Sequence, residues 1–143
     1  METEHGEFLI STDKTKLDVD LIQKFLAEES YWAHNRSAQQ TATAVENSIC
    51  FGVYIGQRQI GFARVVSDKA TFAYLGDVFI LPEFRGRGLS KRLMESIVAH
   101  TELQGLRRWL LATRDAHGLY SQFDFAPLRF ADRWMERTEP DAY

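Results

Sequence analysis

Asp77-Val78-Phe79-Ile80-Leu81-Pro82-Glu83-Phe84-Arg85-Gly86-Arg87-Gly88-Leu89-Ser90-Lys91-Arg92-Leu93 joins an apolar strand, a turn with two glycines and the start of an amphipathic helix. Gly86 and Gly88 open backbone conformations closed to other residues, so consecutive N–H groups can point into one concavity. A helix beginning at Leu89 adds unpaired N–H groups and the positive end of its dipole. Arg85, Arg87, Lys91 and Arg92 crowd cations around the same turn. That chemistry suits a pyrophosphate and a further phosphate. A merely solvated basic turn would carry the same charges, so the residues by themselves support an anion site and no more.

Two familiar phosphate loops do not fit. A nucleotide-triphosphatase loop closes on Gly-Lys-Ser or Gly-Lys-Thr, whereas this turn reads Gly88-Leu89-Ser90. A dinucleotide fingerprint would need glycine at position 91, which is lysine.

Working outward, Glu7 to Ser11 predicts a first strand, and Leu17, Leu21, Ile22, Phe25 and Leu26 recur at helical spacing. Ser37 and Gln40 form a capping-box signature for a second helix ending near Asn47. From Ser48 the period becomes two. Ile49, Phe51, Val53 and Ile55, a turn at Gly56-Gln57-Arg58, a return run from Gln59 to Ser67 and a third from Thr71 to Leu81 predict three antiparallel strands. Leu89, Leu93, Met94, Ile97 and Val98 mark one face of a third helix. Trp109 to Thr113 predicts a strand buried on both faces, Asp115 to Phe123 a short helix, and Phe125 to Met135 the last strands. The order describes a mixed α/β sheet flanked by helices.

The 143 residues, 45% of them hydrophobic, suffice for one domain with its own core, so residues 1–143 are expected to form a single domain. A net charge of -3 gives no global advertisement for nucleic acid or anionic membrane. Cys50, the one cysteine, lies in an apolar alternation and is expected to be structural, and the four histidines lack metal-motif spacing, so no metal site is expected. Neither a signal-peptide run nor a membrane-length apolar stretch is present, and a soluble cytoplasmic protein is expected.

The run Ile80 to Ser90 resembles the acyl-CoA signature of the GNAT superfamily of N-acetyltransferases, with Ser90 where the family usually has glycine or alanine. Tyr120-Ser121-Gln122-Phe123-Asp124-Phe125 is similar to a second family pattern, a helix tyrosine followed by Gly-Phe, with Asp124 in place of the glycine. Aspartate tolerates the left-handed conformation that this position commonly takes. Ser30-Tyr31-Trp32, Phe51-Gly52, Gly61-Phe62-Ala63-Arg64 and Asp115 to Tyr120 are similar to a bacterial subgroup of the family generally described without a substrate.

The resemblance implies a mixed, mostly antiparallel sheet of roughly six or seven strands flanked by about four helices. It implies acetyl-CoA as co-substrate and transfer of its acetyl group to a primary amine of a small molecule or peptide, by direct attack. Val78, Phe79 and Ile80 would offer backbone groups to pantetheine, with Thr113 where many members carry a contacting asparagine. Arg85, Gly86, Arg87, Gly88, Leu89, Ser90 and Lys91 would hold the pyrophosphate, and Tyr120 would serve the departing thiolate. His117 and Asp77 are candidates for handling the proton of the amine. His117 equally reads as polar surface at a helix start capped by Asp115, and Asp77 as a partner of Arg64 across neighbouring strands. Tyr31 and Trp32, in a loop with His34, Asn35 and Arg36, are the candidate acceptor-binding residues. A CoA-binding regulatory module without catalysis is the alternative function. A nucleic-acid binder using Arg85, Arg87, Arg92, Arg107 and Arg108 is disfavoured by the net acidity. Oligomeric state, with a homodimer among the options, is open.

Overall fold

In the computed structural model, which describes residues 1–143, the period-two segments form one sheet in which spatial order follows chain order. Its strands are β1 (Glu2–His5), β2 (Phe8–Ser11), β3 (Ile49–Ile55), β4 (Arg58–Ser67), β5 (Phe72–Ile80) and β6 (Arg108–Leu111). Strands β1 to β5 run antiparallel to their neighbours, and β6 is parallel to β5. The helices are α1 (Val19–Glu28), α2 (Ala38–Glu46), α3 (Leu89–Val98) and α4 (His117–Ser121). This is the mixed, mostly antiparallel architecture expected.

Five consecutive residues of β3, Cys50 to Tyr54, are buried, so both sheet faces are covered there. From α1 come Ile22, Phe25 and Leu26, and from α3 Leu89, Leu93, Met94 and Ile97, all part of one core cluster with the strands. Each large apolar side chain buried this way contributes roughly 1.5–3 kcal/mol of transfer free energy. Phe25 stacks on Phe79 of β5 with ring centroids 3.9 Å apart, fixing α1 over the strand that leads to the glycine turn. Cys50 is buried as expected, and burial pushes its thiol up to about 11. No helix is long and apolar enough to cross a membrane.

The capping box forms in full. Gln40 N–H donates to Ser37 Oγ at 3.1 Å, and Ser37 N–H donates to Gln40 Oε1 at 2.8 Å. Ser37→Ala is expected to lower stability by about 1 kcal/mol, read as a lower midpoint in urea at unchanged slope.

Two expectations are corrected at the ends of the chain. The opening element is a hairpin, and Glu7 lies in its turn beside Gly6, at φ 62°, instead of starting the strand. Glu2-Thr3-Glu4-His5 lacks apolar alternation because it forms an outer edge, where charged side chains are favoured. The strands predicted over Phe125 to Met135 do not form; a 3-10 turn at Ala131–Arg133 interrupts irregular chain. Pro127 has no N–H to donate, and Phe130 and Met135 point to solvent. No further strand pairs with β6, so Trp109, Leu110 and Leu111 are only half-buried.

Candidate active site

Strand β5 is irregular at the one place where the site is built. Phe62 faces Phe79 and Arg64 faces Gly76, so β5 advances three residues while β4 advances two. The extra residue makes a bulge, and Asp77 sits there at φ 53°, a left-handed conformation that aspartate tolerates. On its other side β5 stays with β6 only from Phe72 to Leu75, whereas its pairing with β4 continues to Ile80. The β6-facing backbone edge from Gly76 to Ile80 is therefore open.

Two cavities adjoin this edge. The smaller, about 220 Å³, is bounded by Ile80, Phe84, Gly86, Gly88, Ser90 and Leu119, with Arg85, Leu89 and Lys91 also on its wall. Gly86 and Gly88 take φ 78° and 75°, and a Cβ at either would meet nothing within 4 Å. Glycine is thus required for conformation and not for room. The α3 ladder begins with Arg92 N–H donating to Gly88 O at 3.1 Å, which leaves the N–H groups of Leu89, Ser90 and Lys91 outside it. Arg85 Nε donates to Ile80 O at 3.0 Å, tying the loop back to the strand end. Arg85, Arg87 and Lys91 are exposed and form no salt bridge.

The larger cavity, about 430 Å³, is walled by Tyr31, Trp32, Asp77, Val78, Thr113 and Tyr120 among others. Tyr120 is 8% exposed, its ring edge-on to Phe125 at 6.0 Å. Burial, helped by the charges of Tyr31 and Asp115, pushes its phenol up to about 12, so it is protonated at neutral pH. Thr113 Oγ1 accepts from Ala116 N–H at 3.1 Å and holds the loop leading into α4. Tyr31 hydroxyl accepts from Arg114 N–H at 2.8 Å, and its ring meets Trp32 edge-on at 5.0 Å.

Val78 borders the larger cavity and Ile80 the smaller, while the Phe79 side chain is buried in the core, leaving only its backbone for a ligand. Leu119 and Tyr120, successive residues of α4, likewise border one cavity each. Asp124 takes φ 68°, the left-handed turn expected of it.

Two proton-handling candidates fare poorly. His117 is exposed at the start of α4 and does not line the cavity that holds Tyr120, despite being one helical turn away. Ala116, not Asp115, stands at the helix cap. Asp77 is bound on both oxygens: Oδ2 accepts from Arg36 Nη1 at 2.6 Å and Arg64 Nε at 2.8 Å, and Oδ1 from Trp32 Nε1 at 2.9 Å. Burial alone would raise its pKa, but the Arg36 hydrogen bond and the two guanidinium charges outweigh it and hold the carboxyl below its ordinary value. A carboxylate so held is a weak base, and the Arg64 partnership expected across the strands is the geometry observed.

Residues 19–125 match the family model of the GNAT acetyltransferases. The chain belongs to this family. A GNAT-family protein of Xanthomonas campestris pv. campestris is 50% identical, and its crystal structure superposes with a TM-score of 0.93 over 99% of this chain and 98% of that one. An acetyltransferase relative from Gibberella zeae is 33% identical, with 82% of this chain and 77% of that protein covered. A Clostridium acetobutylicum acetyltransferase, solved with acetyl-CoA, shares the fold at 14% identity, TM-score 0.66, with 96% of each chain covered.

Within this GNAT acetyltransferase, Arg114 and Tyr143 are among the cavity residues that escaped the sequence reading. Arg114 joins the site because its guanidinium stacks on Tyr31, 3.9 Å from the ring centroid. Tyr143 returns from the far end of the chain, its hydroxyl accepting from Arg36 Nη2 at 3.2 Å. No local pattern announces either contact.

Proposed function

We propose that this GNAT protein transfers the acetyl group of acetyl-CoA to the nitrogen of a small primary amine, and that residues 1–143 act as one catalytic domain. The observation that carries this reading is the open edge of β5, which connects the cavity at the start of α3 to the cavity of Tyr120. A pyrophosphate fits the first, where helix N–H groups, Arg85 and Lys91 border the cavity and Arg87 lies close by on the same turn, over the Phe84 ring. Pantetheine fits the edge between Val78 and Ile80, hydrogen-bonded as an added strand would be. The acetyl end then reaches Tyr120.

There the amine nitrogen bonds to the thioester carbon and the carbon–sulfur bond breaks. The departing sulfur takes the proton of the Tyr120 phenol, and the proton shed by the nitrogen passes to solvent, from which the phenol is restored. Val78 and Tyr31 shape the approach, and the chain supplies mostly orientation.

Isothermal titration with acetyl-CoA, followed by thiol release across a panel of amines, tests the reading. Binding with turnover supports it; no binding sinks it, and binding without turnover on any amine favours a regulatory CoA-binding module. Lys91→Ala is expected to weaken acetyl-CoA binding several-fold, by roughly 1 kcal/mol, and to flatten its dependence on salt, because the removed cation is exposed to screening.

A further inference from the structure

The cavity beside Tyr120 is unbalanced in charge. Arg36, Arg64 and Arg114 line it against Asp77 and Asp115. Asp77 is shared, its Oδ2 accepting from both Arg36 and Arg64, so one carboxylate serves two guanidiniums. The side chains of Arg36, Asp77 and Arg64 are 7%, 3% and 15% exposed, so this cluster is largely shielded from water. The second nitrogen of Arg36, Nη2, reaches only the neutral hydroxyl of Tyr143. Arg36 and Arg64 are thus both paired with Asp77, and the cation of this wall left without a carboxylate is Arg114.

Arg114 stands apart from this cluster at the exposed mouth of the cavity. It makes no ion pair, and the Tyr31 ring carries its guanidinium by stacking. A stacked guanidinium keeps its N–H edge free, in the planar fork that matches a carboxylate or phosphate. Asp115 lies near enough to Tyr120 for its charge to act on the phenol, and so offers a partner to an ammonium group at that end.

We infer that the acceptor is an amine that also carries an anionic group, carboxylate or phosphate, received by Arg114 while its nitrogen faces Tyr120. The inference rests on the acetyl-transfer reading and narrows its substrate class. A second cationic group on the acceptor would be repelled from the same wall, which excludes polyamines.

The test uses matched pairs: β-alanine against β-alaninamide, phenylalanine against phenylalaninamide, phosphoethanolamine against ethanolamine, with putrescine as the dication. Thiol release from acetyl-CoA gives kcat/KM for each, in the intact chain and in Arg114→Gln and Arg114→Lys. Comparing the anion-to-neutral ratio between variants cancels the intrinsic reactivity of each amine. The ratio is expected to fall about tenfold or more in Arg114→Gln and to recover in part in Arg114→Lys. The carboxylate and phosphate pairs separate the two sources of anion. A ratio that Arg114→Gln leaves unmoved, or putrescine as the best acceptor, overturns the inference while acetyl transfer stands. Ligand-observed NMR of β-alanine and phosphoethanolamine on the protein without CoA reads the cavity independently. If acetyl-CoA does not bind, acetyl transfer fails, and the absence of an NMR contact sensitive to Arg114→Gln would sink the anion site as well.

Discussion

Tyr120→Phe is expected to lower kcat by about 100-fold while leaving acetyl-CoA affinity within about twofold, as loss of a general acid does. The substitution is clean because the ring's role in packing is separable from that of its hydroxyl. Tyr120 is buried against Phe125, and phenylalanine preserves that edge-on contact. What it removes is a phenol that burial holds up to about 12. Because that group stays protonated across the working range, the kcat profile of the parent enzyme is expected to show no falling limb from Tyr120 between about pH 6 and 10. Stopped-flow or thiol-trapping rates at saturating acetyl-CoA, with affinity from titration, check both parts. An unchanged kcat in Tyr120→Phe would remove the residue from the chemistry.

The second large effect belongs to Asp77. Asp77→Asn keeps size and tolerates the left-handed backbone at φ 53°, so the bulge survives and only the charge is lost. Arg36 and Arg64 are then left as buried or half-buried cations facing a neutral amide. Removing one partner from such a cluster costs about 3 kcal/mol or more, and the melting temperature at pH 7 is expected to fall by roughly 10 °C. The effect carries its own pH signature. Asp77 titrates below its ordinary 3.8 in the folded chain, so its stabilisation is complete above that value and is lost as pH falls through the depressed folded value. The gap between parent and Asp77→Asn is therefore full at pH 5 to 7 and narrows as pH falls below 3.8 and through the depressed folded value. A gap independent of pH would assign the loss to packing instead of charge. Arg36→Met, which removes one of the two cations, is the milder change because Arg64 still pairs with the carboxylate.

Much of this was legible along the chain because it depends on neighbours in sequence. The capping box at Ser37 and Gln40 involves residues three apart on one helix turn, and it forms as read. The glycines of the turn declare themselves because positive φ is forbidden to most side chains, and Gly86 and Gly88 both adopt it. The period-two runs of β3 to β5 translate directly into a hairpin and a third strand because alternation is a property of the strand alone. The C-terminal strands failed for the converse reason. Phe125 to Met135 is apolar enough, but a strand needs a partner, and none reaches it beyond β6.

The sequence by itself determined the strands and helices from β2 to α4, the capping box at Ser37 and Gln40, the glycine turn at Arg85 to Lys91 and the left-handed turn at Asp124, since each is governed by local sterics and local charge. Tertiary structure alone decided which side chains meet. It withdrew His117 from the cavity and bound Asp77 into an arginine pair. It ended the pairing of β5 with β6 at Leu75, leaving the edge beyond open, and it brought Arg114 and Tyr143 to the wall beside Tyr120. Such contacts span tens of residues along the chain, and they exist only because burying the core fixes where distant segments lie.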